Sequence, residues 1–231
     1  MKNRLIAEVF VLGMISCAGK SNAIADKTIA ITFDDGPFEH TERLLAILAE
    51  YNVNATFFLV GQNVQSRPEK SRLIFEAGHE IGNHSWAFTS LGEPSPGPNA
   101  IRKSLADTSA QIRKITGTNP VFFRAPNLNY GEDLTNTARE MGMAFIGASD
   151  FSMDWEGIST EEIVSNVIDG ASDGGIILLH EFSDGSRRTE NALGEIIVTL
   201  RARGFDIVPV SQLAKREGLT LEAGNLYNAM K

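Results

Sequence analysis

Two adjacent aspartates, Asp34 and Asp35, close an apolar stretch and stand before Gly36-Pro37. Successive side chains of a strand diverge, so one carboxylate can hold a divalent cation while its neighbour takes a proton. Asp-Gly-Pro is also ordinary turn chemistry, and the pair taken alone favours that reading. His84 follows Gly82-Asn83. A lone histidine beside a strand is more often a satisfied core residue, and His79, five positions earlier, is assigned to packing. If His84 instead meets Asp35, an imidazole and a carboxylate suit zinc or another first-row ion better than magnesium or calcium. His180 ends the apolar run Gly175 to His180, where burial demands a partner. Asp154 supplies one and raises the imidazole pKa, so that the ring donates a proton near neutrality. Arg124 holds Asp34 ionised as an adjacent cation does. Each pair has a bland alternative in simple ion pairing, and singly that alternative wins.

These residues matter together only if the chain brings them to one place. Apolar runs predict strands over 28–33, 55–60, 79–83, 121–124, 143–148, 175–180 and 205–210. Amphipathic stretches predict helices over 42–51, 68–77, 99–116, up to 141, 160–168 and 191–203. Ser159 and Glu162 have the spacing of a capping box. Regular alternation of strand and helix gives parallel strands with helices outside, as a barrel or a wound sheet. Chemistry in such folds sits at the C-terminal strand ends. The polar residues at those ends are Asp34, Asp35, Asn83, His84, Arg124, Asp150, Asp154 and His180.

The chain has 231 residues, a formal charge of -8 and one cysteine, Cys17. The acidic balance argues against a nucleic-acid partner, whose phosphates demand a basic face. One cysteine excludes an intrachain disulfide and a cysteine-based zinc cage. Met1 to Arg4 is a short basic start, residues 5–15 are apolar apart from Glu8, and Ser21-Asn22-Ala23 offers a small-x-small cleavage site. That layout reads as a secretory signal over 1–23, followed by one domain over 24–216 and a tail over 217–231. An apolar helix on a cytosolic protein is the alternative. Met14 to Gly19 also resembles a bacterial lipobox, which implies lipid on Cys17 and a membrane anchor.

In order along the chain, Thr32-Phe33-Asp34-Asp35-Gly36-Pro37, Gly78 to Trp86, Phe123-Arg124-Ala125-Pro126, Asp154-Trp155 and Leu178-Leu179-His180 resemble the polysaccharide deacetylase family of NodB-homology type, carbohydrate esterase family 4. The resemblance spans roughly residues 27–212. It implies an α/β fold, a distorted (β/α) barrel of about seven strands, and removal of N-acetyl or O-acetyl groups from a glycan such as peptidoglycan or chitin oligosaccharide by a protein exported to the bacterial cell envelope. By position it implies Asp34 as base, Asp35 and His84 as ligands of a divalent metal (zinc, with cobalt or nickel as variants), and Arg124 as the group steadying the base. His180 is the implied acid, Asp154 its tuning partner, and Trp155 and Leu178 line the acetyl pocket. A backbone N–H near Pro126-Asn127 is the implied oxyanion donor.

Two departures stand out. Phe88 occupies the place of the family's further metal histidine, which leaves two protein ligands where a catalytic zinc usually has three. His40, Glu93 or an extra water are the candidates to replace it. Asn127 stands where an aromatic residue is usual, with Tyr130-Gly131 as that pair displaced. A sugar-binding pseudoenzyme, and an amidase or esterase acting on another acyl group, are therefore alternatives. Neither the glycan nor the oligomeric state is written in the sequence.

Overall fold

The computed structural model describes residues 26–87, 96–182 and 185–231. The sheet consists of β1 (Lys27–Asp34), β2 (Thr56–Leu59), β3 (Glu80–Asn83), β4 (Phe122–Phe123), β5 (Ala144–Ile146), β6 (Asp150–Phe151), β7 (Gly175–His180), β8 (Phe205–Ile207) and β9 (Leu226–Tyr227). All pairings are parallel. The strands run in the order β6-β7-β1-β2-β3-β4-β5-β9, with β8 paired to the start of β1. Among the described residues β6 and β9 do not pair with each other, so the sheet curls into an open, irregular barrel.

Seven of these strands are those expected from the apolar runs. The additions, β6 and β9, are two residues each and leave no periodic trace. Through β9 the segment after residue 216 extends the sheet beside β5, and Met230 is fully buried. The expected tail thus packs with the body of the domain. The apolar run at 205–210 divides: β8 stops at Ile207 and the short helix α8 (Val210–Arg216) begins after Pro209.

The remaining helices are α1 (Thr41–Glu50), α2 (Gly61–Ser66), α3 (Pro68–Glu76), α4 (Pro98–Thr116), α5 (Glu132–Glu140), α6 (Thr160–Gly170) and α7 (Arg188–Ala202). Capping explains several of the boundaries. Ser159 accepts the Glu162 N–H while the Glu162 carboxylate accepts the Ser159 N–H, the reciprocal box expected at the start of α6. Gly117 ends α4 at φ 80°, a left-handed conformation that glycine adopts without steric cost. The largest apolar cluster joins β1, β2 and β7 to α1, α6 and α7, with Phe33 stacked on Phe57 at 5.1 Å. Each fully buried Leu or Ile there contributes about 1.5–3 kcal/mol relative to exposure. That layer fixes the strand ends from which the polar residues emerge. Among the described residues no helix is long and apolar enough to cross a membrane.

Candidate active site

Asp34 is the last residue of β1 and lies in register with His180, the last residue of β7. Register partners on neighbouring parallel strands project to the same face about 4.8 Å apart, so the carboxylate and the imidazole stand side by side. Asp34, Asp35, His84, Trp155, Leu178 and His180 converge on one cleft of about 390 Å³ at the C-terminal strand ends, and Pro126 and Asn127 form part of its rim.

Asp34 is buried and accepts from Arg124 Nη1 at 2.8 Å. Arg124 itself is 0% exposed and its other nitrogens are bonded as well. Nη1 also reaches Thr32 Oγ1 at 2.7 Å, Nε the Ile146 carbonyl at 3.0 Å, and Nη2 the Gly147 carbonyl at 2.6 Å. The guanidinium lies over the Phe58 ring at 4.2 Å, a cation–π contact. A cation held this way orients Asp34 and is kept away from anything entering the cleft.

His84 follows β3. Its Nδ1 sits 2.8 Å from the Arg124 carbonyl, which can only accept, so Nδ1 carries a hydrogen. Nε2 then faces Asp35 Oδ1 at 3.4 Å and Asp34 Oδ2 at 3.7 Å. Burial alone would lower the His84 pKa, but Asp34 and Asp35 outweigh it and raise the value. A neutral ring would aim a lone pair at two carboxylates, and only a proton or a cation between them relieves that. Two donors that share a tetrahedral ion at about 2.0–2.2 Å lie roughly 3.4 Å apart. The Asp35–His84 spacing fits such an ion. Among the described residues no group of three or more His, Cys, Asp or Glu side chains forms a complete ligand set. Phe88 and Glu93 lie outside the described residues. His40 precedes α1 and lines a small cavity behind the cleft, so it does not join Asp35 and His84.

On the opposite wall His180 Nδ1 bonds Asp154 Oδ1 at 2.7 Å. Asp154 Oδ2 accepts the His180 N–H at 2.9 Å and the Thr189 hydroxyl at 2.8 Å. Burial again opposes the charged ring, and the Asp154 bond and charge prevail, so the His180 pKa is raised. Trp155 meets the imidazole edge-on at 5.3 Å and remains 40% exposed. The Phe182 ring centroid lies 5.8 Å from that of the imidazole.

Arg124 and Asp154 stand behind the cleft on Asp34 and His180, whereas the side chains of Asn83 and Asp150 bond neither. Asn83 points toward α4, where it donates to the Leu105 carbonyl and Ser109 and accepts the Ser85 N–H, which shapes the turn carrying His84. Asp150 is buried against Gly170, where an added Cβ would come within 2.6 Å of Oδ1. Neither of its carboxylate oxygens has a hydrogen-bond partner, and burial pushes its pKa up to about 7. Tyr130 also stays out of the cleft. Its ring packs edge-on against Phe145 at 5.4 Å, and its hydroxyl points to the Ile146 carbonyl. Three contributors were not expected from the sequence: Thr32, which opens the first motif but carried no assigned role, and Thr189 and Phe182, which lie outside the motifs.

Backbone strain gathers at the same rim. Among the described non-glycine residues, Asp35, Ser85, Asn127, Leu128 and Met153 have φ between 53° and 78°. Asp35, Asn127 and Leu128 line the cleft, Ser85 adjoins His84, and Met153 precedes Asp154, the partner of His180. Only Asn52, in the turn after α1, is elsewhere. Such conformations persist where the surroundings over-determine them.

The family profile described as polysaccharide deacetylase matches residues 21–146. The chain belongs to the polysaccharide deacetylase family. It is 34% identical over 220 residues to a bifunctional xylanase/deacetylase of Pseudobutyrivibrio xylanivorans, covering 93% of this chain and 35% of that protein. It is also 33% identical over 190 residues to a peptidoglycan-N-acetylglucosamine deacetylase of Bacillus cereus, covering 80% of this chain and 67% of that one. A family 4 acetyl xylan esterase from Clostridium thermocellum, solved with a cobalt ion, is 40% identical with a TM-score of 0.81 and covers 88% of this chain and 98% of its own. The chain thus spans about a third of the bifunctional relative and two thirds of the Bacillus cereus enzyme.

Proposed function

We propose that the protein removes acetyl groups from an acetylated glycan of the cell envelope, and that Asp35 and His84 hold a divalent cation for that reaction. The observation that carries this reading is the placement of Asp34 beside His180 in one cleft, with Asp35 and His84 spaced to share an ion. A divalent ion there supplies Lewis acidity toward the acetyl carbonyl.

Asp34 accepts the proton of the attacking water, with Arg124 fixing its angle. His180 then delivers a proton to the departing nitrogen, because amines leave poorly unless protonated. Asp154 favours the charged form of that histidine and holds its Nε2 toward the cleft. The turn at Pro126-Asn127 supplies the backbone donor for the oxyanion, and Trp155 and Leu178 enclose the acetyl methyl. Zinc is the ion that the nitrogen and oxygen donors suit, with cobalt or nickel as substitutes.

Peptidoglycan is the substrate that the name of the Bacillus cereus relative supports; chitin oligosaccharides carry the same N-acetylglucosamine unit, and the acetylated xylan of the esterase is the O-acetyl counterpart. Export through residues 1–23, with lipid on Cys17 as the anchored form, places the enzyme beside such a polymer. Those residues lie outside the described ones.

Acetate release from chitin oligomers, peptidoglycan and acetylxylan tests the reading. We expect release by the wild type and a loss of about 10²–10⁴-fold in Asp34→Asn. A wild-type protein that binds the oligomers and releases no acetate would instead be the sugar-binding pseudoenzyme.

A further inference from the structure

Glu181 directly follows His180, yet its side chain turns away from the cleft and grips the loop that carries both aspartates. Its N–H donates to the Asp34 carbonyl at 3.1 Å. Its Oε2 accepts the Phe38 N–H at 3.1 Å and the Thr41 hydroxyl at 2.8 Å. Between those two ends the carboxyl rests on Gly36, where an added Cβ would lie 2.8 Å from both Cδ and Oε1. One residue therefore holds residues 34–38 at the start, the middle and the end.

That loop needs holding. Asp35 sits at φ 78°, a conformation a residue with a Cβ adopts only under constraint. On its other side the loop is tied by Asn63 Nδ2 to the Asp35 carbonyl at 2.8 Å and by the Val60 N–H to the Gly36 carbonyl at 3.0 Å. Releasing the Glu181 side would free Asp35 to relax toward an ordinary φ. Its carboxylate would then leave the 3.4 Å spacing from His84.

The arrangement is a poor choice for stability alone. Glu181 is 8% exposed and its Oε1 has no hydrogen-bond partner. Burial pushes its carboxyl up to about 7. A buried polar atom left unpaired costs about 1–3 kcal/mol. An apolar side chain of similar size would fill the same space without that cost, but it would leave the Phe38 N–H and the Thr41 hydroxyl without this acceptor.

We propose that Glu181 is a positioning residue for the deacetylation reaction: through Phe38, Thr41 and Gly36 it fixes Asp35 at the distance from His84 that a shared cation requires, and its place next to His180 ties the two walls of the cleft together. The proposal rests on the cation-assisted reading above.

The test compares the purified chain with its Glu181→Gln and Glu181→Ala variants. Zinc affinity is measured by calorimetry on chelator-stripped protein, kcat and KM by acetate release from a chitin oligomer, and the thermal midpoint by circular dichroism. The amide oxygen of glutamine can still accept from Phe38 and Thr41; alanine cannot. Glu181→Ala should weaken zinc binding and lower kcat by about 10–100-fold each, with KM little changed. Glu181→Gln should restore both to within about threefold of wild type. Thr41→Val, which removes one of the two donors and keeps the volume, should give a smaller loss in the same direction. This variant provides the readout should the alanine variant fail to fold.

The proposal is overturned if Glu181→Ala, or Thr41→Val in its place, lowers the thermal midpoint while zinc affinity and kcat stay at wild-type values well below that midpoint. It is equally overturned if Gln and Ala lose zinc alike, which would make the residue's charge and not its grip the active property. A wild-type chain that takes up no zinc removes the cation reading itself. That result is separate, because it appears before any variant is compared.

Discussion

One wall of the cleft backs its histidine with a carbonyl, and the other backs its histidine with a carboxylate. His84, after β3, turns Nδ1 to the Arg124 carbonyl and presents Nε2 to Asp35 and Asp34. His180, at the end of β7, turns Nδ1 to Asp154 and leaves Nε2 toward the cleft. A carbonyl fixes the tautomer without neutralising a proton charge, which suits a ring that shares a cation. A carboxylate pairs with the imidazolium, which suits a ring that stores a proton. His79 is a third case. It accepts the Ala55 N–H at 3.1 Å and packs edge-on against Phe57, and burial lowers its pKa to about 4. On the proposed reading, the group behind the ring thus separates a ligand, an acid and a core residue of the same amino-acid type.

This contrast can be broken at several points. The largest effect belongs to His180→Ala, which should lower kcat by about 10²–10⁴-fold while the folded protein still takes up zinc. Steady-state kinetics beside a metal assay checks it. Next comes Asp154→Asn, expected to cost about 10–100-fold in kcat. The His180 pKa is raised by Asp154, so the protonated acid survives to higher pH in the wild type. Removing the carboxylate should therefore move the alkaline limb of the kcat–pH profile to lower pH. An unmoved limb would assign that limb to another group.

Phe88→His asks whether the site lacks a ligand. It should tighten zinc by about tenfold or more, read by competition with a chelator. Unchanged affinity would mean that another group already completes the shell. His79 has the smallest catalytic effect, and its consequence lies in stability. Its pKa falls from 6.5 to about 4 on folding, so its neutral form contributes stability above the unfolded value. That contribution is lost as pH falls from 6.5 toward 4, to a total of roughly 3 kcal/mol. His79→Gln should flatten this part of the stability–pH curve in denaturant titrations and leave acetate release near wild type.

The sequence discloses much of this site because its residues occupy strand ends. Asp34, Arg124 and His180 end or directly follow β1, β4 and β7, where an apolar run stops at a polar side chain. Asp150 and Asp154 mark where that rule loses resolution. Both follow the 143–148 run, but β6 takes Asp150 into the sheet facing Gly170, and the left-handed turn at Met153 carries Asp154 round to His180. A two-residue strand and a φ of 58° at Met153 have no hydrophobic period to announce them. Glu181 and Thr189 were hidden for another reason. Each acts through a partner far away in the chain, Thr41 and Asp154 respectively, and their own neighbours in sequence give no sign of it. In the fold itself, α2, the six residues from Gly61 to Ser66, has no counterpart among the helices expected from the apolar pattern.

Zinc titration of the wild type, His84→Ala and His180→Ala, followed by calorimetry on chelator-stripped protein, tests the division of labour most directly. The account predicts about one ion bound by the wild type, the same affinity in His180→Ala, and no measurable uptake in His84→Ala. Equal loss in both variants, or full retention in His84→Ala, would contradict it.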